Sequence, residues 1–85
     1  MIRIMVVYDI SADQVRHRVS ETCLDYGLDR EQFSVFTGRL KSTQLRELTK
    51  LLRSITKEGQ VMILPVGAED WERRVIIGEK GGCAR

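Results

Sequence analysis

From Ile2 to Ile10 the chain is apolar almost without a break, Ile-Arg-Ile-Met-Val-Val-Tyr-Asp-Ile, and Asp9 interrupts the run just before Ser11, Ala12 and Asp13. Such a run, closed by turn residues, predicts a central strand buried on both faces. Beyond it Val15, Val19, Cys23 and Tyr26 recur at helical spacing. Ser11 with Gln14 matches a capping box at the start of that helix, and Gly27 supplies its left-handed stop. Glu31 to Leu40 reads as extended structure, a strand or a bent hairpin. There Phe33, Val35 and Thr37 alternate with Ser34, Phe36 and Gly38; both phenylalanines read as core and Gly38 as a bulge or bend. Ser42 or Thr43 caps a second helix with the apolar stripe Leu45, Leu48, Leu51, Leu52 and Ile55, ended by Gly59. Val61 to Val66 is the next strand, and Pro65 places its end at a sheet edge or exit. Asp70, Trp71 and Glu72 cross a linker, and Arg74 to Gly78 reads as a last short strand.

This order predicts an α+β fold, a ferredoxin-like βαββαβ sandwich with an additional C-terminal strand. One domain spans residues 1–80, and 81–85, with Gly81 and Gly82, reads as a flexible tail. Two helices cover one face of the antiparallel sheet, and nothing in the chain covers the other. The first and last core strands are too apolar to leave that face to water. Val75, Ile76 and Ile77 are too few to form a sheet alone and suit pairing with a partner's exposed edge. A symmetric homodimer, sheet against sheet, follows as the expectation.

Composition narrows the chemistry. The 85 residues leave no room for a second core, and 42% hydrophobic with 31% charged residues describes a globular chain. No apolar run approaches the roughly 18 residues of a membrane span, and no secretory leader pattern opens the chain. Two cysteines, Cys23 and Cys83, make no CxxC pair, so the cytoplasm is the expected compartment. One histidine, His17, is too few for a structural zinc site and leaves Ser-His-Asp or Cys-His catalysis without support. A net charge of +2 says nothing of nucleic acid unless its distribution does.

The candidate chemistry centres on Asp9. A carboxylate at a strand's C-terminal end meets solvent, a metal or a substrate without the full cost of an interior charge; the competing reading is that it helps start the next helix. Tyr8, Arg16, Arg18 and the segment Gln32-Phe33-Ser34-Val35-Phe36 converge on it in the predicted fold. A lone carboxylate is a weak magnesium site. A two-fold axis would bring two copies of Asp9 to one ion, with the arginines binding phosphodiester oxygens. Arg16 and Arg18 equally suit an exposed helix face, with Arg16 pairing Asp13 or Glu21. Arg46, Lys50, Arg53 and Lys57 follow i, i+4, i+7, i+11, a basic stripe opposite the leucines that is either a solvated face or a track for a duplex backbone. Trp71 is an anchor for the linker or for a partner protein.

The segments Val-Val-Tyr-Asp-Ile, Arg16-x-Arg18-Val19, Tyr26-Gly27-Leu28 and Gln32 to Phe36, followed by Gly38-Arg39-Leu40, resemble the small CRISPR-associated endonucleases of the Cas-two family, from about Ile2 to Gly78. The resemblance implies a ferredoxin-like homodimer whose last strand crosses to the other protomer. It implies a Mg2+ ion, or another divalent cation such as Mn2+, held by the strand-end aspartate of both protomers, which is Asp9 here. It also implies metal-dependent cleavage of RNA or DNA, and an adapter role holding DNA between CRISPR integrase dimers during spacer acquisition. Thr37 stands where the family commonly has an acid. The expectations are therefore a phosphodiesterase acting through Asp9, Tyr8, Arg16 and Arg18 on single-stranded RNA or duplex DNA, a non-catalytic DNA-holding scaffold, or a toxin-like messenger-RNA ribonuclease.

Overall fold

The computed structural model describes residues 1–78. Four strands and three helices follow in the order β1 (Ile2–Asp9), α1 (Asp13–Asp25), β2 (Asp29–Gln32), β3 (Val35–Leu40), α2 (Ser42–Ile55), β4 (Gln60–Pro65) and α3 (Ala68–Glu72). All three strand pairings are antiparallel and the sheet order is β2-β3-β1-β4, the ferredoxin-like arrangement expected. The domain limit at residue 80, the tail 81–85 and Cys83 lie outside the described residues. Among the described residues no helix is long and apolar enough to cross a membrane.

β1 is central, flanked by β3 and β4, but it is covered on one face only. Ile4, Val6 and Tyr8 are buried against Val19 and Cys23 of α1, Leu48, Leu52 and Ile55 of α2, and Leu28, Phe36 and Leu40. The intervening residues Met5 and Val7 point to the other face and are half-buried. Their ladder partners there are Leu64 and Met62 on β4 and Thr37 and Val35 on β3. Met62 is 51% and Leu64 45% exposed, so an apolar sheet face stands open.

Several boundaries differ from the sequence reading. The segment from Glu31 to Leu40 is a hairpin, with Phe33 and Ser34 as its turn and β2 starting earlier, at Asp29. Gly38 is not a bulge; the register shift lies between Arg30 and Gln32. A Cβ on Gly38 would stand 2.6 Å from Leu28 Cδ2, so close packing accounts for the glycine. Ala12, not Ser11, occupies the N-cap of α1, without a side-chain cap. Lys41 caps α2, its N–H donating to Gln44 Oε1 at 2.9 Å. α2 stops at Ile55 with Thr56 as C-cap, four residues short of Gly59. Leu51 leaves the expected stripe and is 42% exposed. The linker around Trp71 is the short helix α3, and Arg74 to Gly78 form no strand. Val75, Ile76 and Ile77 are exposed and pair with no strand of this chain.

Cys23 is fully buried, and burial pushes its thiol from 9.0 up to about 12, against a smaller downward pull from the Arg30 guanidinium. Unfolding above the ordinary thiol value therefore releases a proton that the folded chain holds. Stability is full below pH 9 and falls as pH rises toward 12, with Tyr8, also raised, acting in the same sense. Urea titrations across this range should show that decline, and Cys23→Ala should flatten part of it. An unaltered slope would exclude the thiol as a cause.

Candidate functional site

Asp9 is the last residue of β1 and is exposed, at the rim of the sheet as expected. Strand pleating places it on the open face with Met5 and Val7, opposite Gln60 of β4. The turn after α2 fixes this end of the strand. Gly59 has φ +80°, and a Cβ there would lie 2.6 Å from the Asp9 carbonyl oxygen and 3.0 Å from Ile10 Cα. Its neighbour Glu58 reaches across so that Oε1 accepts from the Ala12 N–H at 3.4 Å. Two residues invisible as site residues in the sequence thus brace the segment from Asp9 to Ala12.

Tyr8 precedes Asp9 and points the opposite way, into the helix-covered side. Its hydroxyl donates to the Phe33 carbonyl at 3.1 Å and its ring stacks on Phe36, with centroids 6.3 Å apart. Burial raises the hydroxyl's pKa, with the guanidiniums of Arg30 and Arg16 pulling it down, so the phenol stays protonated near neutrality. Arg16 Nη1 donates to the carbonyls of Ile10 and Ser11 at 3.0 and 3.2 Å, and Nη2 pairs with Asp13, as one reading expected. Arg30, unmarked by any sequence pattern, joins them. It sits on β2 opposite Phe36, with its guanidinium 4.9 Å from that ring's centroid and Nη1 donating to the Phe33 carbonyl at 3.0 Å. Tyr8, Arg16, His17, Arg30, Phe33 and Ser34 line one cavity of about 510 Å³.

The expected convergence therefore divides in two. Tyr8 and Arg16 share a cavity that Asp9 does not line. Arg18 is exposed farther round α1, beside Gln14 and His17. The reason is geometric: alternate strand residues face opposite ways, and Arg18 lies two residues, about 200°, round the helix from Arg16. Arg46, Lys50 and Arg53 are exposed on α2, whereas Lys57 lies beyond the helix end. Phe33, read as core, is 53% exposed at the hairpin turn, while Phe36 is fully buried. Trp71 ties α3 to β1, with the guanidiniums of Arg3 and Arg74 stacked 4.0 and 3.9 Å from its ring centroid. At the position where the family commonly has an acid, Thr37 Oγ1 donates to Glu31 Oε2 at 2.9 Å. No group of three or more His, Cys, Asp or Glu able to hold a metal occurs among the described residues. One chain's Asp9 alone therefore does not make a magnesium site.

Comparison with known proteins identifies the family. The family described as CRISPR associated protein Cas2 matches residues 1–74. This chain belongs to the Cas2 family. A protein named CRISPR-associated endoribonuclease Cas2 2, from Chloroflexus aurantiacus, is 36% identical over 80 residues, covering 89% of this chain and 92% of that one. A Thermoproteus tenax protein named as a fusion of endonuclease Cas1 and endonuclease Cas2 is 41% identical over 49 residues, 58% of this chain and 19% of that one. A crystal structure titled as Cas2 superposes with TM-score 0.80 at 31% identity, covering 94% of this chain and 90% of that one. The Cas2 likeness spans all the elements just described.

Replacing Gly59 by Ala drives a methyl group into the Asp9 carbonyl at a left-handed position. The expected cost is more than about 1 kcal/mol in urea denaturation, with amide resonances of Asp9 and Ile10 displaced in the NMR spectrum. Unchanged stability and unmoved resonances would remove the turn as a brace of Asp9.

Proposed function

We propose that this chain acts in CRISPR adaptive immunity as a homodimeric endonuclease, of the endoribonuclease type that its Cas2 relatives are named for, working beside the CRISPR integrase in spacer acquisition. The observation that carries the reading is Asp9, an exposed carboxylate at the rim of an uncovered apolar sheet face. Packing that face against a second copy buries Met5, Val7, Met62 and Leu64 and gathers the acids of two chains at one rim. Two copies of Asp9 supply the donor set that one lacks, hard oxygens suited to Mg2+ or Mn2+. Such an ion, when bound, neutralises charge on a phosphodiester. Of the chain's own residues, Asp9 holds the rim charge, Arg16 and Arg18 bind phosphate oxygens on either side of α1 and away from that rim, and Tyr8, whose hydroxyl donates to the Phe33 carbonyl, holds the β2–β3 turn in place.

A non-catalytic scaffold is the second reading, favoured by the Cas1 fusion of the Thermoproteus tenax relative. In that reading Arg46, Lys50, Arg53 and Lys57 follow a duplex backbone by charge alone, without reading bases. Membership of the family favours both readings over the toxin-like one.

Asp9→Asn removes the ligand charge at nearly constant volume. It should abolish magnesium-dependent cleavage while sedimentation still reports a folded dimer. Wild-type cleavage by the rigorously purified variant would reject the catalytic role, and spacer acquisition by the same variant separates hydrolysis from scaffolding.

The dimer face has its own test. In Leu64→Asp an unpartnered carboxylate is buried when the open faces meet, at a cost of about 3–5 kcal/mol. Sedimentation should show the variant shifted to monomer with its circular dichroism unchanged. A dimer as tight as wild type would mean that the sheets do not pack face to face.

A further inference from the structure

At the far end of the open sheet face from Asp9, two positive charges stand where electrostatics disfavours them. Arg3 on β1 and Arg39 on β3 are directly opposite in the ladder, and strand alternation puts both on the face of Met5, Val7 and Asp9. Like charges facing one another across a ladder destabilise a sheet. Among the described residues neither guanidinium forms an ion pair or donates a hydrogen bond, so no carboxylate of the fold offsets the repulsion. Both arginines line a cavity of about 550 Å³ between the ends of β1 and β4 and helix α3. That volume lies within the roughly 300–1,000 Å³ usual for binding clefts. Ile2, Pro65, Val66 and Ala68 give it an apolar wall, and Trp71 stands beside Arg3.

Trp71 and α3 restrict what can enter. The guanidiniums of Arg3 and Arg74 lie 4.0 and 3.9 Å from the indole ring centroid, and two cations at that distance need opposite faces of the ring. No face is left on which a nucleobase could stack. The surrounding charge also disfavours a phosphodiester chain, whose anions repeat along its length. Glu69, Asp70 and Glu72 are exposed on α3, and Glu72 lines the cavity. Asp70 Oδ2 lies 3.5 Å from the position a Cβ would take on Gly67, another lining residue. A single acid set between apolar side chains meets the arginines and the apolar wall without running along those carboxylates. Guanidiniums hold a carboxylate by charge-assisted hydrogen bonds of matching geometry.

We propose that this cavity docks a protein partner through an acidic peptide segment, with one carboxylate held by Arg3 and Arg39 and a flanking aliphatic side chain seated on Ile2, Pro65 and Val66. Arg3 is ordered by the Trp71 ring before the segment arrives, which lowers the entropic cost of binding. Six residues of strand, about 20 Å, separate Arg3 from Asp9, so docking requires neither an ion nor cleavage.

The test uses the full chain and a short labelled peptide with one aspartate between leucines. Binding is followed by fluorescence anisotropy of the label and by the emission of Trp71, the sole tryptophan. The aspartate peptide should bind and shift that emission. Its asparagine version should bind about 10- to 150-fold more weakly, the effect of losing a charge-assisted hydrogen bond. Arg39→Gln should weaken the aspartate peptide by a similar factor without lowering the urea midpoint of the free protein, because it removes a repulsion. Arg3→Gln should weaken it too, and Glu72→Gln, which removes a competing carboxylate, should tighten it. Arg39 is exposed, so its variant reports on binding even if Arg3→Gln loosens α3. No binding of the aspartate peptide, equal affinity for the asparagine version, or no loss in Arg39→Gln would overturn the docking site. Displacement of the peptide by a single-stranded or duplex oligonucleotide whose own binding needs Arg39 would also overturn it, in favour of phosphate. Sedimentation showing that Arg39→Gln dissociates a dimer would do the same, with a second copy as the occupant.

Discussion

The pleat of β1 governs the rest of the molecule. Ile4, Val6 and Tyr8 face the helices and are buried, and Met5, Val7 and Asp9 face away. Each buried aliphatic residue contributes about 1.5–3 kcal/mol, so a one-residue slip would forfeit several of these at once and turn Asp9 into the core. Register is consequently fixed by packing on one side, and what the other side displays follows from it. The same alternation sends two consecutive residues, the phenol of Tyr8 and the carboxylate of Asp9, to opposite surfaces of the sheet.

The elements that the sequence makes legible are those whose period reflects burial. β1, α1, α2 and β4 each carry an apolar repeat set by the core, and each lies where that repeat indicates. α3 has five residues and no buried member, so no period marks it. Helix caps are not legible because each depends on one hydrogen bond, as between Lys41 and Gln44, and any of several neighbouring polar residues has the right chemistry. Leu51 fits the helical stripe by spacing but lies off the arc that Leu48, Leu52 and Ile55 bury. Arg74 to Gly78 form no strand within one chain, and the pairing expected of them, with a partner's edge, involves a second copy.

The site is legible in part for the same reason. Asp9 is visible as a charge that ends an apolar run, and its place at the rim follows. Its grouping with Tyr8 treats adjacency along the chain as adjacency in space, which a strand reverses. Arg30 lies on a four-residue polar strand with no pattern to mark it. The brace at Glu58 and Gly59 is a tertiary contact, and Gly59 read in isolation resembles a helix stop. The positive φ would have been compatible with either role; only the 2.6 Å approach to the Asp9 carbonyl separates them.

These two surfaces have different physical dependence on assembly. The cavity of Tyr8, Arg16 and Arg30 is complete within one chain: its cations are anchored by carbonyls of the same domain, and its walls come from α1 and the β2–β3 hairpin. The Asp9 rim is not. In the single chain its carboxylate is exposed, and among the described residues no group of three or more His, Cys, Asp or Glu gathers around it. Burying the neighbouring apolar face would withdraw some of that water and bring a like charge closer. Both changes disfavour two ionised carboxylates unless a cation is shared between them. Association and ion binding at this rim are therefore thermodynamically linked: an ion that binds the pair and not the single acid favours the dimer by mass action. The metal-holding role proposed for Asp9 therefore requires a second copy, whereas the cavity beside Tyr8 is formed by one chain.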